Sequence, residues 1–95
     1  MIVEYHPAAR VEFRRAAQTY EQDRPGLGLA FLLALREAEA TIIAHPDIGT
    51  PLGSNRRYLI RRFPYGIIYR REAARLYVIA VAHNRRRPEY WLHRQ

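Results

Sequence analysis

The chain has 95 residues, of which 48% are apolar, and a formal net charge of +7. This length suits one domain over residues 1–95 with a modest core, and it excludes a second core of useful size. The absence of cysteine excludes disulfide frameworks and thiolate metal sites. There is no secretory signal pattern and no apolar run of membrane-spanning length, so we expect a cytoplasmic protein with no membrane partner.

The charge is divided unevenly along the chain. Residues 1–50 carry five arginines and seven acids, a net −2, whereas residues 51–95 carry eleven arginines and two acids, a net +9. All basic residues are arginine, whose planar guanidinium pairs with carboxylates and phosphates and stacks on aromatic rings. We therefore expect an anionic partner for the C-terminal half, and composition leaves open whether it is nucleic acid or an acidic protein segment.

The first half of the chain is predicted to contain a short strand and two helices. Ile2 to Tyr5 is β-prone, and from Ala9 to Tyr20 apolar residues recur at spacings of three and four, which is typical of an amphipathic helix. Asp23 to Gly26 interrupts this pattern, and Leu27 to Ala44 resumes it. Because the interruption is short, we predict an antiparallel helix hairpin over about residues 7–45.

The second half is predicted to form strands. The loop-like stretch from His45 to Asn55 is rich in proline and glycine. Three β-branched or aromatic runs follow it, at Arg57 to Phe63, Tyr65 to Arg71 and Leu76 to His83. The last run is apolar at both alternate positions, as expected for a central strand covered on both faces. We predict a three-stranded antiparallel sheet over about residues 56–83.

Together these elements predict an α+β fold with the helix hairpin packed on one face of the sheet. The N-terminal strand can join the three later strands as a fourth. Residues 84–95 are predicted to form a basic C-terminal tail, in which three arginines stand close to a tyrosine and a tryptophan.

Five strings of residues run in order along nearly the whole chain. They are YE at 20–21, RPGLG at 24–28, AHP at 44–46, RRFPYGIIYR at 61–70 and AVAHNRRRPEYW at 80–91. In this order and in a chain of this length, they resemble the ParE/RelE superfamily of plasmid-stabilisation toxins, and its ParE-like branch in particular. The resemblance implies the toxin of a type II toxin–antitoxin system that inhibits DNA gyrase without catalysis, needs no cofactor, and is neutralised by a cognate antitoxin. We expect that antitoxin to be acidic and to be encoded next to this chain.

The RelE-like branch of the superfamily supplies an alternative, a ribosome-dependent endoribonuclease that cleaves messenger RNA. The resemblance implies that such enzymes carry an arginine after the last strand, and Arg85 matches it. They also carry a catalytic arginine on a strand and a second basic residue, but here these two positions fall on Gly66 and near Leu59. The terminal tyrosine position falls on Trp91, one residue beyond Tyr90.

RNA cleavage needs a base for the ribose hydroxyl, cations for the developing charge and an acid for the leaving oxygen. His83, Arg85, Arg86 and Tyr90 are the residues that could supply this set. A third alternative is a plain nucleic-acid-binding module, which the basic tail alone supports. The histidines show no metal-ligand spacing, so no metal site is expected.

The candidate residues for binding a target or an antitoxin are mostly arginines of the second half. Side chains alternate along a strand, so Arg61 and Arg62 are predicted to point to opposite faces, and one of them could line a basic groove with Arg57. The tail could grip a phosphate backbone and stack on bases, or it could grip an acidic protein, while Trp91 could instead seal the core. The full set is Arg57, Arg61, Arg62, Arg85, Arg86, Arg87, Tyr90 and Trp91.

Overall fold

The helix hairpin has the predicted bounds in the computed structural model, which describes residues 1–95. Helix α1 spans Pro7–Asp23 and helix α2 spans Leu27–Ala44. The two helices approach closely at Gly28, where an added Cβ would lie 2.5 Å from the carbonyl oxygen of Ala17. The connection is held by Glu21, whose carboxylate accepts hydrogen bonds from the backbone N–H groups of Gly26 and Gly28. Neither helix combines the length and apolar character that a bilayer-spanning segment needs.

The sheet contains five strands, two more than the predicted three-stranded unit. These are β1 (Ile2–Tyr5), β2 (Thr50–Leu52), β3 (Asn55–Leu59), β4 (Tyr65–Glu72) and β5 (Arg75–His83). Their order across the sheet is β1-β5-β4-β3-β2. Strand β1 pairs in parallel with β5, and the other neighbours are antiparallel. The N-terminal strand therefore joins the sheet as predicted. Most residues of β5 are buried, which agrees with the predicted central strand covered on both faces.

Two details of the strand prediction are wrong. The stretch from His45 to Asn55 is not all loop, because β2 lies within it and pairs with β3 through a turn at Gly53. The strand predicted over Arg57 to Phe63 ends at Leu59. Its backbone turns at Arg62, which has a φ of 71°, and an extended strand cannot continue through that left-handed conformation.

The helices cover one face of the sheet and form the larger core. Phe31 of α2 packs edge-on against Phe63 and Tyr65. The buried Tyr69 hydroxyl donates a hydrogen bond to the carbonyl of Pro46 and accepts one from Gly49, so it fixes the loop after α2. The buried residues of this core are Ala9, Ala16, Phe31, Leu35, Ala38, Ile42, Ile60, Ile67, Tyr69, Leu76, Val78 and Val81.

The opposite face of the sheet carries a smaller core, which the end of the chain covers. A β-bulge in β5 sets Ile68 opposite Ala80 and Tyr69 opposite Val78, so Ile79 is an additional residue in that strand. Ile79 and Ala80 consequently share one apolar cluster with Ile68. Trp91 packs into this cluster and is only 4% exposed. The predicted tail, named here the C-terminal segment (residues 84–95), thus folds back on the sheet.

We expect acid to weaken the start of α1. The His6 Nδ1 accepts a hydrogen bond from the Ala8 backbone N–H, and burial and the nearby Arg94 guanidinium lower the pKa of His6. The unfolded chain therefore takes up this proton more readily than the folded chain. The stabilisation is complete above about pH 6.5 and decreases as the pH falls below that value.

Replacing His6 with asparagine keeps an N-cap acceptor but removes the titration. Between neutral pH and about pH 5, wild type should lose about 1 kcal/mol more unfolding free energy than His6→Asn, the usual worth of an N-cap. Urea unfolding followed by circular dichroism measures this difference. Equal losses in the two proteins would contradict the assignment of His6 as the acid-sensitive cap.

Candidate functional site

The candidate binding residues lie on two opposite sides of the sheet. Arg61 and Arg62 lie in the turn after β3 and line a groove against α2. Arg57, Arg86 and Arg87 line a cavity on the face away from the helices. The prediction that Arg61 and Arg62 alternate along one strand, with one of them beside Arg57, is wrong because β3 ends at Leu59.

The cavity on the face away from the helices, named here the basic cavity, has a volume of about 280 Å³. It lies between the sheet and the first part of the C-terminal segment. The buried side chains of Ile68 and Trp91 contribute to its apolar floor. Its exposed lining contains three arginines and no acidic residue, and consists of Arg57, Asn84, Arg86, Arg87 and Pro88.

Gly66 makes room for Arg57 in this cavity. Arg57 lies directly opposite Ile68 across β3 and β4, and Gly66 lies two residues before Ile68 on the same face. A Cβ added to Gly66 would come within 3.2 Å of the Arg57 Cγ. The resemblance to RelE-like nucleases implies a catalytic arginine at the position of Gly66. The aliphatic part of the Arg57 side chain occupies the space beside that position.

His83 lies at the end of β5, between the basic cavity and a second hollow against α1. Its Nδ1 accepts a hydrogen bond from the backbone N–H of Arg85, and its ring packs edge-on against Tyr65 with centroids 5.2 Å apart. These contacts fix the ring at the strand end. The Arg85 side chain is exposed and lines neither hollow.

Glu12 of α1 fastens the C-terminal segment to the sheet. Its carboxylate accepts hydrogen bonds from the Tyr90 hydroxyl at 2.7 Å and from two Arg94 nitrogens at 3.0 and 3.1 Å. The Glu12 and Arg94 side chains are 12% and 10% exposed, so this ion pair is largely shielded from water. The Arg86 guanidinium lies 3.6 Å from the same carboxylate and 3.7 Å from the centre of the Tyr90 ring.

The same contacts complete the hydrogen bonding of β5. Strand β1 ends opposite Val78, so the edge of β5 beyond that residue has no strand partner. Glu12 accepts a hydrogen bond from the Val81 N–H, and Arg94 donates one to the Ile79 carbonyl. Side chains therefore satisfy backbone groups that a longer β1 would otherwise pair.

The environment of Tyr90 keeps its hydroxyl protonated. Burial raises the pKa of Tyr90, and its hydrogen bond to Glu12 raises the pKa further. The hydroxyl is directed to Glu12, and Tyr90 does not line the basic cavity. Of the four residues named for the nuclease alternative, only His83 and Arg86 line the basic cavity.

On the helix side, the exposed face of α2 carries Leu29 and Leu33, with Leu33 56% exposed. Leu33 separates a groove of about 550 Å³ beside α1 and β1 from one of about 480 Å³ beside the turn after β3. This surface, named here the α2 saddle, consists of Leu29, Leu33 and the two grooves. Five arginines and two glutamates line the grooves: Arg10, Arg24, Arg36, Arg61, Arg62, Glu37 and Glu39.

Sequence reasoning missed Glu12 and the α2 saddle. A signal for the saddle was present, because Leu29 and Leu33 lie one helical turn apart and outside the apolar stripe that begins at Leu27 and Phe31. Glu12 gave no such signal. Its partners Val81, Tyr90 and Arg94 are 69 to 82 residues away, and only the folded chain brings them to α1.

Comparison with known proteins gives a family and a fold. The family described as "ParE toxin of type II toxin-antitoxin system, parDE" matches residues 3–88. A solved structure titled "Chromosomal ParDE TA system from P. aeruginosa" contains a chain with a TM-score of 0.75 and 14% sequence identity, covering 87% of this chain and 95% of that one. No curated protein matches the sequence.

The fold of this chain, two helices packed on a five-stranded mixed sheet, thus matches the fold of a chain from a solved toxin–antitoxin system. The chain belongs to the ParE toxin family of type II toxin–antitoxin systems. The resemblance identified in the sequence and the predicted α+β class are both confirmed.

Proposed function

We propose that this toxin inhibits DNA gyrase by binding rather than by catalysis, and that a cognate antitoxin with an acidic segment neutralises it. The observation that supports a non-catalytic toxin is the separation of the residues that RNA cleavage would need. Gly66 contributes no side chain to the basic cavity, and the Tyr90 hydroxyl is bonded to Glu12. A cavity with His83 and Arg86 but no positioned acid is suited to binding.

The α2 saddle supports the antitoxin part of the proposal. Exposed leucines between two grooves suit the apolar face of a partner helix, and the surplus of arginine over glutamate suits acidic residues beside that face. A segment that folds as it binds would bury Leu29 and Leu33 and pair with the surrounding arginines. Its association should be steered by charge and slowed by salt.

A supercoiling assay with purified gyrase tests the proposal directly. We expect the toxin to block supercoiling, while messenger RNA on translating ribosomes stays intact in a parallel reaction. Co-purification with the product of the adjacent gene should restore supercoiling. Codon-positioned cuts in the message with normal supercoiling would overturn the proposal and support the endoribonuclease.

The endoribonuclease is the second candidate because His83 and Arg86 both line the basic cavity. A His83→Asn variant separates the two functions, since asparagine retains a hydrogen-bond acceptor for the Arg85 N–H but cannot act as a base near neutral pH. We expect this variant to inhibit bacterial growth as strongly as wild type. A loss of toxicity of about a hundredfold or more, in a variant with unchanged circular dichroism, is the result that base catalysis predicts.

A further inference from the structure

The basic cavity adjoins the hollow against α1 at the end of β5. That hollow has a volume of about 200 Å³, and it shares His83 and Arg86 with the basic cavity. Arg15 of α1 lines its far side. The two depressions therefore meet at His83 and Arg86. The surface that they make together is named here the basic channel, and it includes Arg57, Arg87, Arg86, His83 and Arg15.

We propose that the basic channel binds the phosphodiester backbone of a nucleic acid strand. This inference goes beyond the proposed toxin function and requires neither gyrase nor an antitoxin. The channel is concave, longer than a single-ion site, and lined along its length by guanidinium groups that suit phosphate oxygens.

The charge along the channel is available to a ligand. No ion pair within the chain engages Arg15, Arg57 or Arg87. Glu12 is the one acid lining the two depressions, and it pairs with both Arg94 and Arg86. The charges of Arg15, Arg57 and Arg87 therefore have no counter-charge within the chain.

Arg86 is held in place at the junction of the two depressions. Its guanidinium stacks on the Tyr90 ring and lies near the Glu12 carboxylate, while its side chain remains 54% exposed. Holding the group in advance reduces the conformational entropy lost when a phosphate binds. Arg86 can therefore hold the C-terminal segment and also bind a phosphate, because only part of its side chain is covered.

The basic cavity favours a nucleic acid backbone over a protein partner. Protein interfaces draw most of their affinity from apolar or aromatic anchors that become buried on binding. Here Ile68 and Trp91 are already buried within the chain, and the apolar side chains that remain accessible in the cavity, Leu52, Ala82 and Pro88, include no aromatic anchor. The α2 saddle, in contrast, has exposed leucines. Because Trp91 cannot stack on bases, we expect binding through phosphates with little sequence preference.

The test is fluorescence anisotropy of short labelled strands of DNA and RNA, mixed with the purified chain at several salt concentrations. The double variant Arg57→Glu with Arg87→Glu should bind at least about tenfold more weakly, and its salt slope should fall by about 1.4 for the two lost contacts with a single strand. The matched control is Arg14→Glu with Arg71→Glu, which changes net charge equally at two exposed arginines that line neither depression. It should retain most of the affinity.

Each result of this experiment bears on the proposal. Binding of either strand, with the expected contrast between the two variants, supports the proposal. The strand that binds more tightly shows whether the ligand is DNA or RNA. Equal weakening by both variants would overturn the proposal, as would an acidic peptide of equal length that binds as tightly as the strands. If circular dichroism shows that the glutamate variant is unfolded, Arg57→Gln with Arg87→Gln replaces it. If the unaltered chain binds neither strand but inhibits gyrase, the proposed channel is overturned and the proposed toxin function is not.

Discussion

Replacing Glu12 with glutamine is expected to destabilise the fold by about 3–5 kcal/mol. The change leaves the Arg94 charge largely shielded from water with no counter-charge. It also sets a neutral amide among the donors of Val81, Tyr90 and Arg94, and that amide offers one acceptor atom where the carboxylate offers two. A loss of this size is a large share of the stability of a small domain.

Urea unfolding measures this loss, and the chain's single tryptophan reports where it begins. Trp91 belongs to the C-terminal segment that Glu12 fastens, so its emission should shift to the red before the helices unfold. Glu4→Gln is the matched control, because Glu4 forms an exposed ion pair with Arg75 and its loss should cost less than about 1 kcal/mol. Similar costs for the two variants would show that Glu12 does not fasten the segment.

A second variant examines Arg94 itself. Arg94→Met removes the charge that Glu12→Gln leaves unpaired, so the double variant should be more stable than Glu12→Gln alone. If the double variant instead loses as much stability as the two single variants together, the two residues stabilise the fold independently.

Leu33→Glu is expected to escape neutralisation by the antitoxin while remaining toxic. Leu33 lies on the α2 saddle between the two grooves, and a carboxylate there would repel acidic residues and remove an apolar anchor. Loss of a central anchor costs about 2–4 kcal/mol, which corresponds to a weakening of roughly 30-fold to 1,000-fold. Because Leu33 is exposed, the change should alter stability by less than about 0.5 kcal/mol.

Co-expression with the cognate antitoxin and titration of the purified proteins measure this effect. Leu92→Glu is the control, because this leucine is 61% exposed and lies in the C-terminal segment rather than on the α2 saddle. We expect Leu92→Glu to be neutralised as wild type is. If Leu33→Glu is also neutralised normally, the antitoxin binds elsewhere on the toxin.

The sequence was sufficient for the helices and the longer strands because their patterns are strong and local. Leu27 to Ala44 carries a regular apolar stripe, and β5 is apolar on both faces, as a central strand should be. Strand β2 is three residues long and contains Pro51, so no periodicity could reveal it. The early end of β3 depends on the backbone conformation of Arg62, a residue type that ordinarily gives no turn signal.

The candidate site was predictable in composition but not in arrangement. Interleaved arginines and aromatic residues drew attention to residues 83–91, and the structure places His83, Arg86 and Arg87 in the lining of one cavity. The division of the candidate residues between two faces follows from the turn at Arg62 and from the folding back of Trp91. Both depend on contacts between distant parts of the chain, which a reading of neighbouring residues does not capture.

The pairing of β1 with β5 has a consequence for how the toxin is made. The first strand of the chain aligns with the last, and Glu12 bonds to residues only a few positions from the C-terminus. Such distant contacts form late, because loop closure must precede them. During synthesis the sheet cannot be completed until β5 and the C-terminal segment have emerged from the ribosome. A chain under synthesis therefore passes first through a state in which helices α1 and α2 have no completed sheet to cover.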